Sequence, residues 1–248
     1  MIYATGDTHA DFRRFSSQNF PEQKQMSRND YVIICGDFGG IWDDSKQQKD
    51  QLDWLDAKPF TTLWIDGNHE NFDMLKEYSM EEWRGGLVQR IRPNILHLLR
   101  GQLYEIEGRT FFTMGGGASH DIQDGILEPD APDFQWQYQR MRQQFRHFRV
   151  NHRSWWKEEM PSDEEYAIAL ATLEKANWEV DYVITHSAPS GIVDIIGKGA
   201  HRHDRLTSFL DMISKRLIFN YWLFGHYHDN RAIGQNYILL YEQVMKVV

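Results

Sequence analysis

An α/β layered fold is what this chain predicts, on three observations. Seven short runs of apolar, β-branched or aromatic residues recur, at 2–5, 31–35, 61–65, 109–114, 182–185, 221–224 and 237–241. Most are continuous rather than alternating, as in strands covered on both faces. Helical spacing of apolar residues fills several of the intervals, and repeated strand–helix–strand units build a layered α/β domain.

The elements follow in order. IYAT is succeeded by Phe12 and Phe15, YVIIC by Leu52 and Leu55, and TTLWI by Phe72 and Leu75, each pair at a helical step. Short runs near 95–114 lack a helical pattern between them, which predicts antiparallel pairing and a mixed sheet. Ser162 with Glu165 forms a capping box before Tyr166, Leu170 and Leu173. Leu206, Phe209, Leu210, Ile213 and Leu217 form a helical stripe before YWLF. With no internal repeat, low-complexity tract or Gly/Pro/Ser-rich linker, the 248 residues read as a single domain, 1–248.

One segment differs. Residues 134–157 carry Arg140, Arg142, Arg146, Arg149, Arg153 and Lys157 and no acid, while Tyr138, Met141, Phe145, Phe148, His152 and Trp155 recur at three- and four-residue steps. That spacing predicts an amphipathic helix, opening an inserted segment at about 134–178. A solvated basic face is the plain reading. A lid, a dimer face or a surface for an anionic substrate is the functional one.

Composition narrows the class. Hydrophobic residues make up 41% and charged residues 25%, an ordinary globular balance. A net charge of −9 disfavours a protein built to hold nucleic acid on a basic surface. The single cysteine, Cys35, excludes an internal disulfide and reads as a buried, inert thiol. No run approaches the roughly 18 apolar residues of a membrane span, and MIYATGD has no signal-peptide pattern. There is no N-x-S/T sequon. A reduced, cytoplasmic setting without membrane attachment is the expectation.

Polar residues follow the runs in a consistent way. Asp7 and His9 follow the first, Asp37 the second, Asn68, His69 and Glu70 the third, His186 the fifth, and His226 with His228 the sixth. The carboxyl ends of parallel strands line one edge, where ligand sites form. Asp7, His9, Asp37, Asn68, His186, His226 and His228 offer nitrogen and oxygen donors without thiolate, which suits Mn²⁺, Fe, Zn²⁺, Ni²⁺ or Co²⁺. Seven ligands exceed the need of one ion with an open position, whereas two ions sharing a carboxylate would use them all. In an extended chain His226 and His228 would point the same way, about 6.6 Å apart. That spacing suits two ions about 3.5–4 Å apart.

These blocks resemble those of the calcineurin-like metallophosphoesterases. That superfamily's D-x-H, G-D, G-N-H-[D/E], H and G-H-x-H appear as Asp7-Thr8-His9, Gly36-Asp37, Gly67-Asn68-His69-Glu70, His186 and Gly225-His226-Tyr227-His228. The resemblance implies a four-layer α/β/β/α sandwich of two mixed sheets flanked by helices. It implies that Asp7, His9, Asp37 and His228 hold one metal, and that Asp37, Asn68, His186 and His226 hold a second. It also implies phosphoester hydrolysis, of a monoester or a diester. Two divalent cations, with manganese the first expectation, would lower the pKa of a shared water, and the resulting hydroxide would attack phosphorus in line. His69 would be no ligand but the proton donor to the leaving oxygen.

One block departs from the serine/threonine phosphatases of the superfamily, where it reads G-D-x-x-D-R-G. Gly40 and Ile41 stand at the positions of its last aspartate and its arginine. Asp43 or Asp44 is then the candidate to orient His69. The stretch Gly191–Lys198 approximates a phosphate loop, but its glycines are one residue too far apart and no Ser or Thr follows the lysine. His201, Arg202 and His203 beyond it are candidate phosphate contacts. Ser119-His120-Asp121 is no triad, because adjacent side chains cannot converge in relay order. Gly115-Gly116-Gly117 reads as a turn at a strand end near the site. Two rival functions are a nuclease using the basic helix, which the net charge opposes, and a non-catalytic metal-binding scaffold, which the filled donor positions oppose.

Overall fold

A computed structural model describes residues 1–198 and 202–248. Six strands come from the first part of the chain: β1 (Ile2–Thr5), β2 (Tyr31–Ile34), β3 (Thr61–Trp64), β4 (Met80–Trp83), β5 (Gly86–Arg92) and β6 (Ile95–Leu98). Nine follow: β7 (Gln102–Ile106), β8 (Arg109–Met114), β9 (Ile126–Leu127), β10 (Arg149–Val150), β11 (Glu179–Thr185), β12 (Ile218–Phe224), β13 (Arg231–Ile233), β14 (Tyr237–Leu239) and β15 (Met245–Lys246). The helices are α1 (Lys46–Asp56), α2 (Phe72–Leu75), α3 (Phe134–Gln143), α4 (Asp163–Lys175), α5 (Ser190–Gly197) and α6 (Arg205–Ser214).

Two mixed sheets result. One runs β15-β1-β2-β3-β6-β5-β4 and the other β13-β14-β12-β11-β8-β7. Their centres are parallel, β1 through β3 with β6 in the first and β8, β11, β12 and β14 in the second, while the outer pairings are antiparallel.

Alternation along each strand explains the continuous apolar runs. Ile2, Ala4, Ile33 and Leu63 point between the sheets, where they meet Phe111, Tyr182, Ile184 and Leu223. Their neighbours Tyr3, Val32, Ile34 and Trp64 face outward onto Phe15, Leu52 and Leu55. On the second sheet, Phe112, Val183, Trp222 and Phe224 face outward onto Leu173 of α4 and Leu206 and Leu210 of α6. Strands β1, β2, β3 and β6 and the carboxyl-terminal halves of β8, β11 and β12 are therefore buried on both faces, and the layers are helix, sheet, sheet, helix.

Local sequence sets the helix starts. Ser45 caps α1 by accepting from the Gln48 amide. Ser162 and Glu165 cap α4 reciprocally, as the sequence predicts, and Asp204 with Thr207 does the same for α6. The Phe12–Phe15 pattern gives only a single 3₁₀ turn, and Phe72–Leu75 a single α turn.

The basic segment is the main correction. The expected helix over 134–157 ends at Gln143. Phe145 enters the left-handed region at φ 52°, and Asp124 holds the next residues by pairing with Arg146 at 3.1 Å and accepting from the His147 amide at 2.8 Å. The chain then runs extended as β10 beside β9. Leu127, Phe134 and Val150 form a small core there with Tyr138, Met141 and Phe148. The acids that break the helix lie earlier in the chain, so the helical period alone could not register them.

Candidate metal centre

All the strand-end residues of interest lie beyond the carboxyl ends of β1, β2, β3, β11 and β12. Backbone bonds tie these loops together. The Thr8 and His9 amides donate to the Asp37 carbonyl at 3.0 and 2.8 Å, and the Gly225 amide donates to the His186 carbonyl at 3.1 Å. The His226 amide donates to Asp7 Oδ1 at 3.0 Å, and the His69 amide to Asp37 Oδ1 at 2.9 Å.

The seven donors form two adjoining groups. Asp7, His9, Asp37 and His228 each direct one ligand atom to a spot where all four lie within 4.8 Å of one another. His228 Nε2 stands 3.1 Å from Asp7 Oδ2 and 3.2 Å from His9 Nε2. In the second group His186 Nε2 lies 3.3 Å from Asp37 Oδ1, 3.2 Å from Asn68 Oδ1 and 3.1 Å from His226 Nδ1. Asp37 belongs to both, since its Oδ2 lies 3.7 Å from His9 Nε2.

The donor chemistry fits a cation. His186 Nδ1 is 2.9 Å from the Cys35 carbonyl, which only accepts, so that nitrogen carries a proton. Asn68 Nδ2 donates to Ser119 Oγ at 3.4 Å, which turns the amide oxygen inward. Lone pairs of buried oxygens and nitrogens thus converge, and such a cluster needs positive charge among them. Electrostatics agree: burial disfavours a charged His186, yet the Asp37 and Asp7 carboxylates push its pKa up to about 10. Burial acts to raise Asp37 as well, but His186, His69 and His9 hold it well below the usual carboxylate range. Burial and the charge of His186 keep His226 well below an ordinary imidazole. Burial also lowers His69 and His9.

The backbone is bent to make this arrangement. His9, Asp37, His226 and His228 all have left-handed φ, at 45°, 47°, 71° and 48°. That region disfavours residues with a Cβ, and such strain concentrates at functional sites. This corrects the expected extended geometry for His226 and His228: they sit in a bend, and their rings reach different donor groups through it. Two glycines leave room for the carboxylates. A Cβ on Gly67 would lie 2.0 Å from Asp37 Oδ1, and one on Gly225 would lie 2.1 Å from Asp7 Oδ1.

The model of the calcineurin-like phosphoesterase family matches residues 1–230. The chain belongs to that family. No curated protein matches it. This phosphoesterase is therefore a hydrolase acting on phosphoester bonds, and its donor cluster supports dependence on metal. Among the described residues no helix is long and apolar enough to cross a membrane.

Three further residues, Glu70, Glu159 and Arg14, support the phosphoesterase site in roles that the sequence does not assign them. Glu70 is fully buried and accepts from the Phe38 and Gly39 amides at 2.7 and 3.1 Å, which anchors the loop carrying Asp37. Burial, then the Asp37 charge, raises its pKa well above normal. Glu159 accepts from the Ser119 amide and hydroxyl at 2.9 and 2.6 Å, and so fixes the group that orients Asn68. Arg14 donates to the Asp7 carbonyl at 2.7 Å. Only Glu70 had a sequence signal, its place in the G-N-H-E block.

Asp43 and Asp44 do not bond His69 in the phosphoesterase. Asp43 accepts from the Ser45 amide and Asp44 pairs with Lys49 at 2.8 Å. The charges that act on His69 are led by Asp37, whose Oδ1 accepts from the His69 amide at 2.9 Å, and then by Arg149, which is paired with Asp121. Of the residues after α5, His201 lies outside the described residues, Arg202 is exposed, and His203 bonds Asp194 at 2.8 Å on the surface. The stretch 190–197 is helix α5 rather than a phosphate loop. Gly116 and Gly117 do turn at the end of β8 beside the donors, where the Gly116 amide donates to the Asp66 carbonyl at 2.9 Å.

Proposed function

We propose that this chain hydrolyses phosphomonoesters or phosphodiesters with a dinuclear centre. Asp7, His9, Asp37 and His228 would hold one ion, and Asp37, Asn68, His186 and His226 the other. Manganese is the first expectation, and Fe, Zn²⁺, Ni²⁺ or Co²⁺ suit the same donors. When bound, the ions supply Lewis-acid activation of water and offset the charge on the phosphate oxygens. The observation that carries the reading is the position of Asp37, with one oxygen 3.3 Å from His186 and the other 3.7 Å from His9.

The chain's own residues do the rest. Buried Asp7 and Asp37 keep the pocket negative and receptive to cations. His69 is held by its amide bond to Asp37, with its ring edge-on to His9 at 5.3 Å between centroids. It faces a cavity of about 350 Å³ lined also by His9, Gly39, Trp42 and Asp43. From there it gives its ring proton to the leaving oxygen.

The test is one activity panel. Metal-free protein is refilled with each ion and offered aryl and alkyl phosphate monoesters, a diester and single-stranded DNA. His69→Ala should retain its metal content by elemental analysis. It should lose about 10²–10⁴-fold in kcat on an alkyl ester, the span of general acid catalysis, and less on an aryl ester. Full activity of the variant on the alkyl ester would remove His69 from the proton-donor role.

A further inference from the structure

The segment between β8 and α4 builds a second polar hollow beside the metal centre. A cavity of about 720 Å³ is lined by Asp121, Tyr138, Arg142, Phe148, Arg149 and Arg153, among others. Its link to the donors is short in sequence and direct in space. Ser119 touches Asn68 at 3.4 Å, the His120 ring packs on His226 at 4.6 Å between centroids, and Asp121 pairs with Arg149. The Asp121–Arg149 pair is bidentate, with Arg149 Nε donating to Oδ1 at 3.0 Å and Nη2 to Oδ2 at 2.5 Å. Arg149 and its partner Asp121 both line this cavity, and Asp121 follows directly on Ser119 and His120, the two residues that touch the donors Asn68 and His226.

The other two arginines differ from Arg149. Among the described residues no acid pairs with Arg142 or Arg153. Each instead lies over an aromatic ring, Arg142 over Tyr138 at 5.8 Å and Arg153 over Phe134 at 5.3 Å. The small core of Leu127, Phe134 and Val150 supports the wall. Two guanidinium groups without carboxylate partners, converging on a concave surface in a chain of net charge −9, form a local exception to the overall charge. Arginine presents a planar fork that matches phosphate geometry bidentately.

We propose that this cavity binds a second phosphoryl group of the substrate, so that the enzyme selects phosphoesters carrying another phosphate beyond the scissile one. Arg142 and Arg153 grip that group, and the Asp121–Arg149 pair holds the boundary between the two sites. The proposal rests on the phosphoesterase reading given above.

Adenosine 3′,5′-bisphosphate and the two adenosine monophosphates test it, because they differ only in the second phosphate. For the Mn²⁺-loaded full chain, kcat/KM for the bisphosphate should exceed that of either monophosphate by about tenfold or more, the scale of charge-assisted hydrogen bonds. In Arg142→Gln/Arg153→Gln the ratio should fall close to one. Both positions are exposed, and the melting temperature reports folding; the single Arg142→Gln variant should give an intermediate ratio. An unchanged ratio in the folded variants, or no preference in the parent, would overturn the proposal, as would faster turnover of single-stranded DNA than of the bisphosphate. If no phosphoester turned over with any metal, the phosphoesterase reading itself would fail. Calorimetry of adenosine 5′-monophosphate with metal-free protein then decides the cavity alone: binding lost in the double variant supports an anion site, and no difference from the parent sinks it.

Discussion

At the scale of single residues, what matters most in this site is how little room it leaves. Gly67 shows this best. An added Cβ would meet Asp37 Oδ1 at 2.0 Å and His186 Nε2 at 2.8 Å, both atoms at the junction of the two donor groups. Gly67→Ala should therefore displace Asp37 and abolish tight metal retention, read as a drop in bound metal by elemental analysis after dialysis, while the melting curve of the metal-free protein stays cooperative. Full metal occupancy in that variant would count against Asp37 as the shared ligand. The identities of the donors were legible in the sequence because each follows a strand and parallel strands gather their ends at one edge. Their backbone conformation was not. Nothing in GHYHD announces that His226 and His228 adopt left-handed φ, since that bend is imposed by partners from other loops, such as Asp7 accepting from the His226 amide. Glu159 was hidden for the same reason: it reaches Ser119 from forty residues away.

Among the elements, β3 and β6 are joined at their ends by a buried ion pair that lies outside the donor groups. Arg100, just after β6, donates to Asp66 through Nε at 2.8 Å and reaches the Glu158 carbonyl at 2.7 Å and Glu165 at 3.2 Å. It thus ties the first sheet to the start of α4. Burial acts to raise the pKa of Asp66, but Arg100 and His97 hold the carboxyl well below the usual range. A carboxylate depressed in the folded state contributes stability that is complete above its unfolded value, about 3.9, and is lost as pH falls through the folded value. Asp66→Asn should cost about 3–5 kcal/mol at neutral pH, because Arg100 is left buried without its partner. In denaturant titrations the gap from the parent should narrow as pH drops below about 4, where the unfolded chain begins to protonate Asp66 while the folded protein still holds it ionised. A gap that stayed constant to low pH would contradict this account. Strand and helix types at this scale were largely readable from run length and capping residues. Which face of each strand looked between the sheets was not, because Ile2 and Tyr3, or Leu63 and Trp64, are apolar on both sides. The helix expected over 134–157 failed because periodicity carries no information about Asp124, which captures Arg146 and the His147 amide.

For the molecule as a whole, the donor groups bridge the two sheets. Asp7, His9, Asp37 and Asn68 follow strands of the first sheet, whereas His186, His226 and His228 follow strands of the second. Within the folded chain these loops approach through converging lone pairs and two buried carboxylates, an arrangement that repels itself unless positive charge lies within it. Any ligand that binds only the folded state stabilises it by mass action, by about 2.7 kcal/mol when present at about a hundred times its dissociation constant. In a chain of this size each kcal/mol moves the melting temperature by roughly 2–4 °C. Removing metal with a chelator should thus lower the melting temperature by about 5–10 °C, and adding Mn²⁺ back should restore it. Hydrogen exchange should locate the loss in the loops after β1, β2, β3, β11 and β12, with the small core around Phe134 unaffected. A melting temperature indifferent to chelation and to added Mn²⁺, Zn²⁺ or Fe²⁺ would mean that no cation spans the sheets, and that the strain at His9, Asp37, His226 and His228 serves some purpose other than metal binding.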